Sequence, residues 1–182
     1  MDFLRRKGYV NQRHELTEDG LWASRLRVDQ PLLLAEGFRH GAFPENDAAL
    51  LTAAIAVFVN EKETDDRIDK RFLPKTLLAC YQNMSGRIVP FLQEMLDAGF
   101  EGRPLYLRPA AALYAWAKGG SWESVMELSE MEEGDLAVLI LRTADNLRHV
   151  VGLSEVFPKA AASAKTAIEL ILREPVVEQD SA

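Results

Sequence analysis

The run from Ala48 to Val59 is apolar at every position except Thr52. Read as a helix, it has no polar face and must be enclosed on all sides by other elements. It is well short of the roughly 20 residues that a bilayer crossing needs, and it exits into the charged run Asn60-Glu61-Lys62-Glu63. The pattern predicts a central helix inside a helical core, capped by Asn46 and running from Asp47 to about Lys62.

The remainder of the chain supplies the wrapping. Pro31 suits a first helical position ahead of Leu32-Leu33-Leu34, and Gly41 suits the stop that follows. Leu77, Tyr81, Met84, Ile88, Phe91, Leu92 and Met95 recur at helical steps up to Asp97, with Pro90 expected to kink or split that helix. Short helices are expected at 110–118 and 122–128, separated by Gly119-Gly120 with Ser121 as cap. Ser129-Glu130-Met131-Glu132 has the spacing of a capping box, which would open a long helix to about Val151. A last helix runs from Pro158 to Arg173, and Val176 to Ala182 reads as a frayed tail.

Phe3 to Leu26 reads differently. Gly8-Tyr9-Val10 and Glu15-Leu16-Thr17 have the look of two short strands around a polar turn, and Thr17-Glu18-Asp19-Gly20 looks like a helix start. Two strands alone cannot bury a face, so they either lie on the helical body or close a small domain. The expected fold is all-α, a bundle of about seven helices with a short two-stranded element near the N-terminus.

Several chemistries are missing. Neither G-x-x-x-x-G-K-[ST] nor G-x-G-x-x-G occurs, so neither common phosphate-cradling loop is present. His14, His40 and His149 have no metal-ligand spacing with Cys80, and no metal site is expected. Cys80 itself sits in an apolar helical stretch and reads as a structural thiol; a single cysteine suits a reducing, cytoplasmic compartment. Asp65, Asp66 and Asp69 are interleaved with Lys62, Arg67, Lys70 and Arg71 and read as a solvated, self-compensating run. No catalytic set emerges. The net charge of −7 rules out a basic footprint over the whole surface, although not a local one.

The helix from Glu132 to Val151 carries the remaining information. Leu136, Leu139, Ile140, Thr143, Ala144, Leu147, Val150 and Val151 form one face; Asp135, Arg142, Asp145, Asn146 and His149 form a polar stripe flanked by Arg148. Arg142 and Asp145 are placed to hold each other or to share a ligand. On spacing alone the stripe is a solvated helix back with an ion pair worth about 0–1 kcal/mol.

A resemblance adds a second reading. Tyr114-Ala115-Trp116-Ala117-Lys118-Gly119-Gly120-Ser121-Trp122-Glu123, then Glu133-Gly134-Asp135-Leu136, Arg142 and Asp145-Asn146-Leu147-Arg148, resemble the signatures of the DSHCT domain. This is the C-terminal helical domain of superfamily 2 helicases of the Ski and exosome-cofactor type. The stretch Leu32 to Phe43 resembles that domain's opening motif, and Phe3 to Leu26 resembles the closing portion of the winged-helix domain before it.

The resemblance implies a winged-helix end at 1–28, a DSHCT-like bundle at 29–175 and a disordered tail at 176–182. It implies a C-terminal piece of a longer protein, whose RecA-like motor domains would bind ATP and Mg; this chain would hold no cofactor and no catalytic residue, and would meet no membrane. The helix around 132–151 would be the ratchet helix, with Arg142, Asp145, Asn146, Arg148 and His149 facing single-stranded RNA or DNA. Asp145 would orient Arg142 or bond a base edge. Many members carry a further basic residue where this chain has Val138, so this face is less basic. The alternative is a stand-alone helical adaptor for another protein, with Leu105 and Leu107 as exposed apolar candidates.

Overall fold

A computed structural model describes residues 2–61 and 65–177. Among them are nine α-helices, one short 3-10 turn and no strand. The helices are α1 (Asp2–Arg6), α2 (Glu18–Ala23), α3 (Pro31–Arg39), α4 (Ala48–Val59), α5 (Lys75–Asp97), α6 (Leu107–Ala117), α7 (Trp122–Ser129), α8 (Glu133–Val151) and α9 (Pro158–Ile171). None is long and apolar enough to cross a membrane.

α4 is the axis of the bundle, as its composition requires. It packs against α5, α6, α8 and α9, and every residue from Leu51 to Val59 is buried, Thr52 included. Thr52 meets the cost of burial by donating its hydroxyl to the Ala48 carbonyl at 2.8 Å. The cap is Asp47, not Asn46: its Oδ1 accepts the Leu50 N–H at 2.9 Å. The helix ends at Val59, where the apolar run ends, rather than near Lys62, which lies outside the described residues.

The two strands expected near the N-terminus do not form. Val10 and Leu16 make one isolated antiparallel bridge, because the intervening turn is closed internally. Asn11 Oδ1 accepts the N–H groups of Arg13 and Glu15 at 2.8 and 3.0 Å, and His14 sits at a φ of 64°. Thr17 then caps α2 by accepting the Gly20 N–H at 3.1 Å. Gly20 is required there, since a Cβ would lie 2.0 Å from the Tyr9 carbonyl oxygen. This segment lies on the helical body. Phe3 stacks against Phe91 and Phe100, Trp22 meets the edge of Phe157, and Phe3, Tyr9, Trp22 and Leu26 share one buried core with the bundle.

α5 runs unbroken through Pro90. The carbonyl that its ring crowds belongs to Gly86, where the backbone has the most freedom to adjust. The predicted capping box is replaced by another junction. Ser129 ends α7 and is buried, Glu130 turns left-handed at φ 53°, and Glu132 stands at the N-cap position just before α8 with no side-chain cap bond. Trp116 fills the space between α6 and α9, donating its indole N–H to the Ile171 carbonyl at 2.8 Å. α9 stops at Ile171, two residues short of the expected end; Val176 packs on the core, and residues 178–182 of the expected tail lie outside the described residues.

The connector after α4 behaves partly as expected. Asp65 and Asp69 pair with Arg67 and Arg71 at 2.5 and 2.6 Å on an exposed surface. Asp66 does something else: its carboxylate accepts the backbone N–H groups of Leu107 and Arg108 at 2.9 and 2.7 Å. It therefore caps α6 from a distance and lies favourably at a helix N-terminus.

Candidate nucleic-acid interface

The buried face of α8 follows its periodicity. Leu136, Leu139, Ile140, Thr143, Ala144, Leu147 and Val150 are buried, and the helix packs on α4 and α9. Val151 is half-buried. The outward face carries Asp135, Val138, Leu141, Arg142, Asp145, Arg148 and His149. Val138 and Leu141 are 52% and 40% exposed, so the stripe has an apolar component as well as a charged one.

Arg142 and Asp145 do not hold each other. Asp145 pairs with Arg148 on the exposed surface. Arg142 is gripped by two carboxylates from elsewhere in the chain: its Nη2 pairs with Asp29 Oδ1 and its Nη1 with Glu61 Oε2 at 2.8 Å. The hydrogen bond and the charge of Arg142 hold the Glu61 carboxyl below its ordinary value.

Asn146 departs from the exposed stripe and is buried. The segment before α3 covers it, and its amide is spent there. Nδ2 donates to Asp29 Oδ2 and to the Arg142 carbonyl, both at 2.9 Å, while Oδ1 accepts the Asp29 N–H at 3.3 Å. His149 lies half-buried farther along α8.

The node extends beyond α8. Gln30 ties the Phe58 carbonyl to the Arg103 N–H, at 3.1 Å each. Arg103 reaches the Asn60 carbonyl at 3.3 Å and Glu61 Oε1 at 3.8 Å. A cleft of about 310 Å³ opens beside it, lined by Val59, Glu61, Arg108, Met131, Val138 and Arg142 among others. Asp29, Glu61, Asp135 and Asp145 outnumber Arg103, Arg142 and Arg148 around the stripe, so the face does not present net positive charge.

Among the described residues no cluster of His, Cys, Asp and Glu is arranged to hold a metal ion. Burial pushes the Cys80 thiol up to about 11, so it stays protonated near neutral pH. Of the apolar candidates behind the adaptor alternative, Leu107 is buried, not exposed, and Leu105 is half-buried.

Comparison with known proteins places this bundle. The family model of the DSHCT (NUC185) domain matches residues 13–179. The chain belongs to the DSHCT family. It is 27% identical over 169 residues to the ATP-dependent RNA helicase mtr4 of Schizosaccharomyces pombe, covering 89% of this chain and 15% of that protein. Against the DExH-box ATP-dependent RNA helicase DExH9 of Arabidopsis thaliana it is 26% identical over 151 residues, covering 81% of this chain and 15% of that protein. Against the chloroplastic DExH-box ATP-dependent RNA helicase DExH15 of Arabidopsis thaliana, identity is 41% over 64 residues, 35% of this chain and 6% of that protein. The chain thus spans about one-seventh or less of the relatives it matches.

In this DSHCT domain, the residues that sequence reasoning missed are Asp29 and Glu61. Nothing in the local pattern marks them: each stands at a segment end, and each meets Arg142 only once the segment before α3 lies over α8 and α4 has packed against it.

Proposed function

We propose that this chain is the accessory domain of an ATP-dependent RNA helicase, and that the outward stripe of α8 touches the single strand leaving the motors. Arg142 carries the reading. It is the cation in the middle of the stripe, partly exposed and held in one place by Asp29 and Glu61, beside the exposed apolar side chains of Val138 and Leu141. Such a face offers flat, sequence-tolerant contact to unpaired bases, each worth about 1–3 kcal/mol. Contacts of that size hold a strand and release it again as it advances.

ATP and Mg would bind in motor domains of the longer protein, and this chain contributes no residue to them. RNA is favoured over DNA because the related proteins are named as RNA helicases. The division into a winged-helix-like end at 1–28 and a bundle at 29–175 belongs to the same reading.

The test is binding of a fluorescent single-stranded RNA oligonucleotide, followed by anisotropy at low salt. Arg142→Glu is expected to weaken binding by about tenfold or more, the equivalent of roughly 1.4 kcal/mol. Unchanged affinity in that variant would contradict the proposed role of α8.

A further inference from the structure

We propose that Asp29, assisted by Glu61, is the positioning residue that turns Arg142 away from phosphate and toward bases. The inference rests on the strand-contacting reading of α8 and adds which part of the strand is met.

A guanidinium presents five N–H donors around its edge and none on its face. In Arg142 one donor on each terminal nitrogen is taken, Nη2 by Asp29 and Nη1 by Glu61, so two carboxylates sit against its edge. A phosphate approaching the remaining donors would meet these two internal carboxylates, whose combined charge outweighs that of the guanidinium and which are tethered beside it. The flat face is not used up by such edge pairing, and Arg142, its side chain 32% exposed, stands on the stripe that also exposes Val138 and Leu141. Planar and apolar surfaces suit stacked bases.

Asp29 is built for this task in a way that a chance surface pair is not. Its side chain is only 13% exposed. Its backbone N–H and one carboxylate oxygen are both bonded to the amide of Asn146, one helical turn beyond Arg142 and itself buried. The Asn146 amide also bonds the Arg142 carbonyl. Loop, helix backbone and guanidinium are thereby fixed relative to one another. Glu61 is the outer and more exposed member of the clamp.

The consequence is a shallow salt dependence, since only a phosphate contact releases counterions from the strand. Asp29→Asn keeps the shape and removes the charge. With single-stranded RNA and the full 182-residue chain, this variant is expected to bind about threefold tighter at low salt, and the slope of log K against log salt is expected to steepen by about 0.7, the increment for one added phosphate contact. In an Arg142→Met background the same substitution is expected to change neither.

A purely structural Asp29 would give weaker binding with an unaltered slope, and that result overturns the proposal. So does a gain that persists without Arg142. If Asp29→Asn melts too early to measure, Glu61→Gln carries the same test in the same direction from an exposed position. Loss of binding in Arg142→Glu with no slope change in Asp29→Asn or Glu61→Gln defeats the clamp alone. Indifference of binding to Arg142→Glu defeats the strand reading and the clamp together.

Discussion

Replacing Trp116 with alanine is expected to cost about 3–5 kcal/mol of stability, the range for emptying a large aromatic site in a core. The indole is fully buried, its N–H holds the Ile171 carbonyl, and its ring meets Trp122 edge-on with centroids 5.5 Å apart. The guanidinium of Arg173 lies over the ring, 3.3 Å from its centroid. Arg173 in turn donates to the Trp116 and Gly120 carbonyls at 3.0 and 2.7 Å. One side chain thus fastens α6 to the end of α9 and to the turn leading into α7. Against a total of about 5–15 kcal/mol for a domain, the loss amounts to a drop in Tm of about 6–20 °C. Calorimetric melting of the variant checks this, and a loss below about 1 kcal/mol would contradict the packing described.

The second large effect is expected at Arg108. This arginine is 5% exposed at the start of α6 and donates to three carbonyls from two other segments: Asp65 at 2.7 Å, Arg67 at 3.0 Å and Leu128 at 3.1 Å. It also pairs with Glu130 at 3.0 Å. Arg108→Ala removes the donor from all three carbonyls and opens a hole where a buried side chain stood, at an expected cost of about 2–4 kcal/mol, roughly 1 kcal/mol for each hydrogen bond plus the lost packing. Lysine cannot repair it, because a single ammonium does not span the three carbonyls that a planar fork reaches.

The informative contrast is Arg67. Its pair with Asp65 is short at 2.5 Å, yet its own side chain is 90% exposed, so Arg67→Ala is expected to leave the melting temperature unchanged. Equal effects at the two arginines would show that burial is not what distinguishes them.

These expectations differ in how far they could be read from sequence. The helices were legible wherever an apolar stripe had to be buried. α4 is helical and central because it has no polar side, and α8 buries the stripe that its three- and four-residue steps mark. Local turn chemistry was legible at Thr17 and Ser121, which cap α2 and α7 as their positions imply. It misled at Ser129, where the box spacing is present but the residue is buried at the end of α7.

What sequence did not carry is long-range pairing. Asp66 looks like a member of a solvated charge run and instead caps α6. Asn146 looks like part of the polar stripe and is buried because the loop carrying Asp29 lies over it. Arg142 and Asp145 are spaced as partners, but two better-placed carboxylates reach Arg142 first, leaving Asp145 to Arg148. In each case the deciding neighbour is remote in sequence, where periodicity and spacing have nothing to say.

The central claim concerns where a strand lies on this domain. The direct measurement is a titration of the isotopically labelled 182-residue chain with a short single-stranded RNA, followed by amide NMR shifts. Shifts concentrated on α8 between Asp135 and His149, with the side-chain resonances of Arg142 among the most displaced, are the result predicted here. Shifts confined to another face, or none at RNA concentrations well above micromolar, would contradict it.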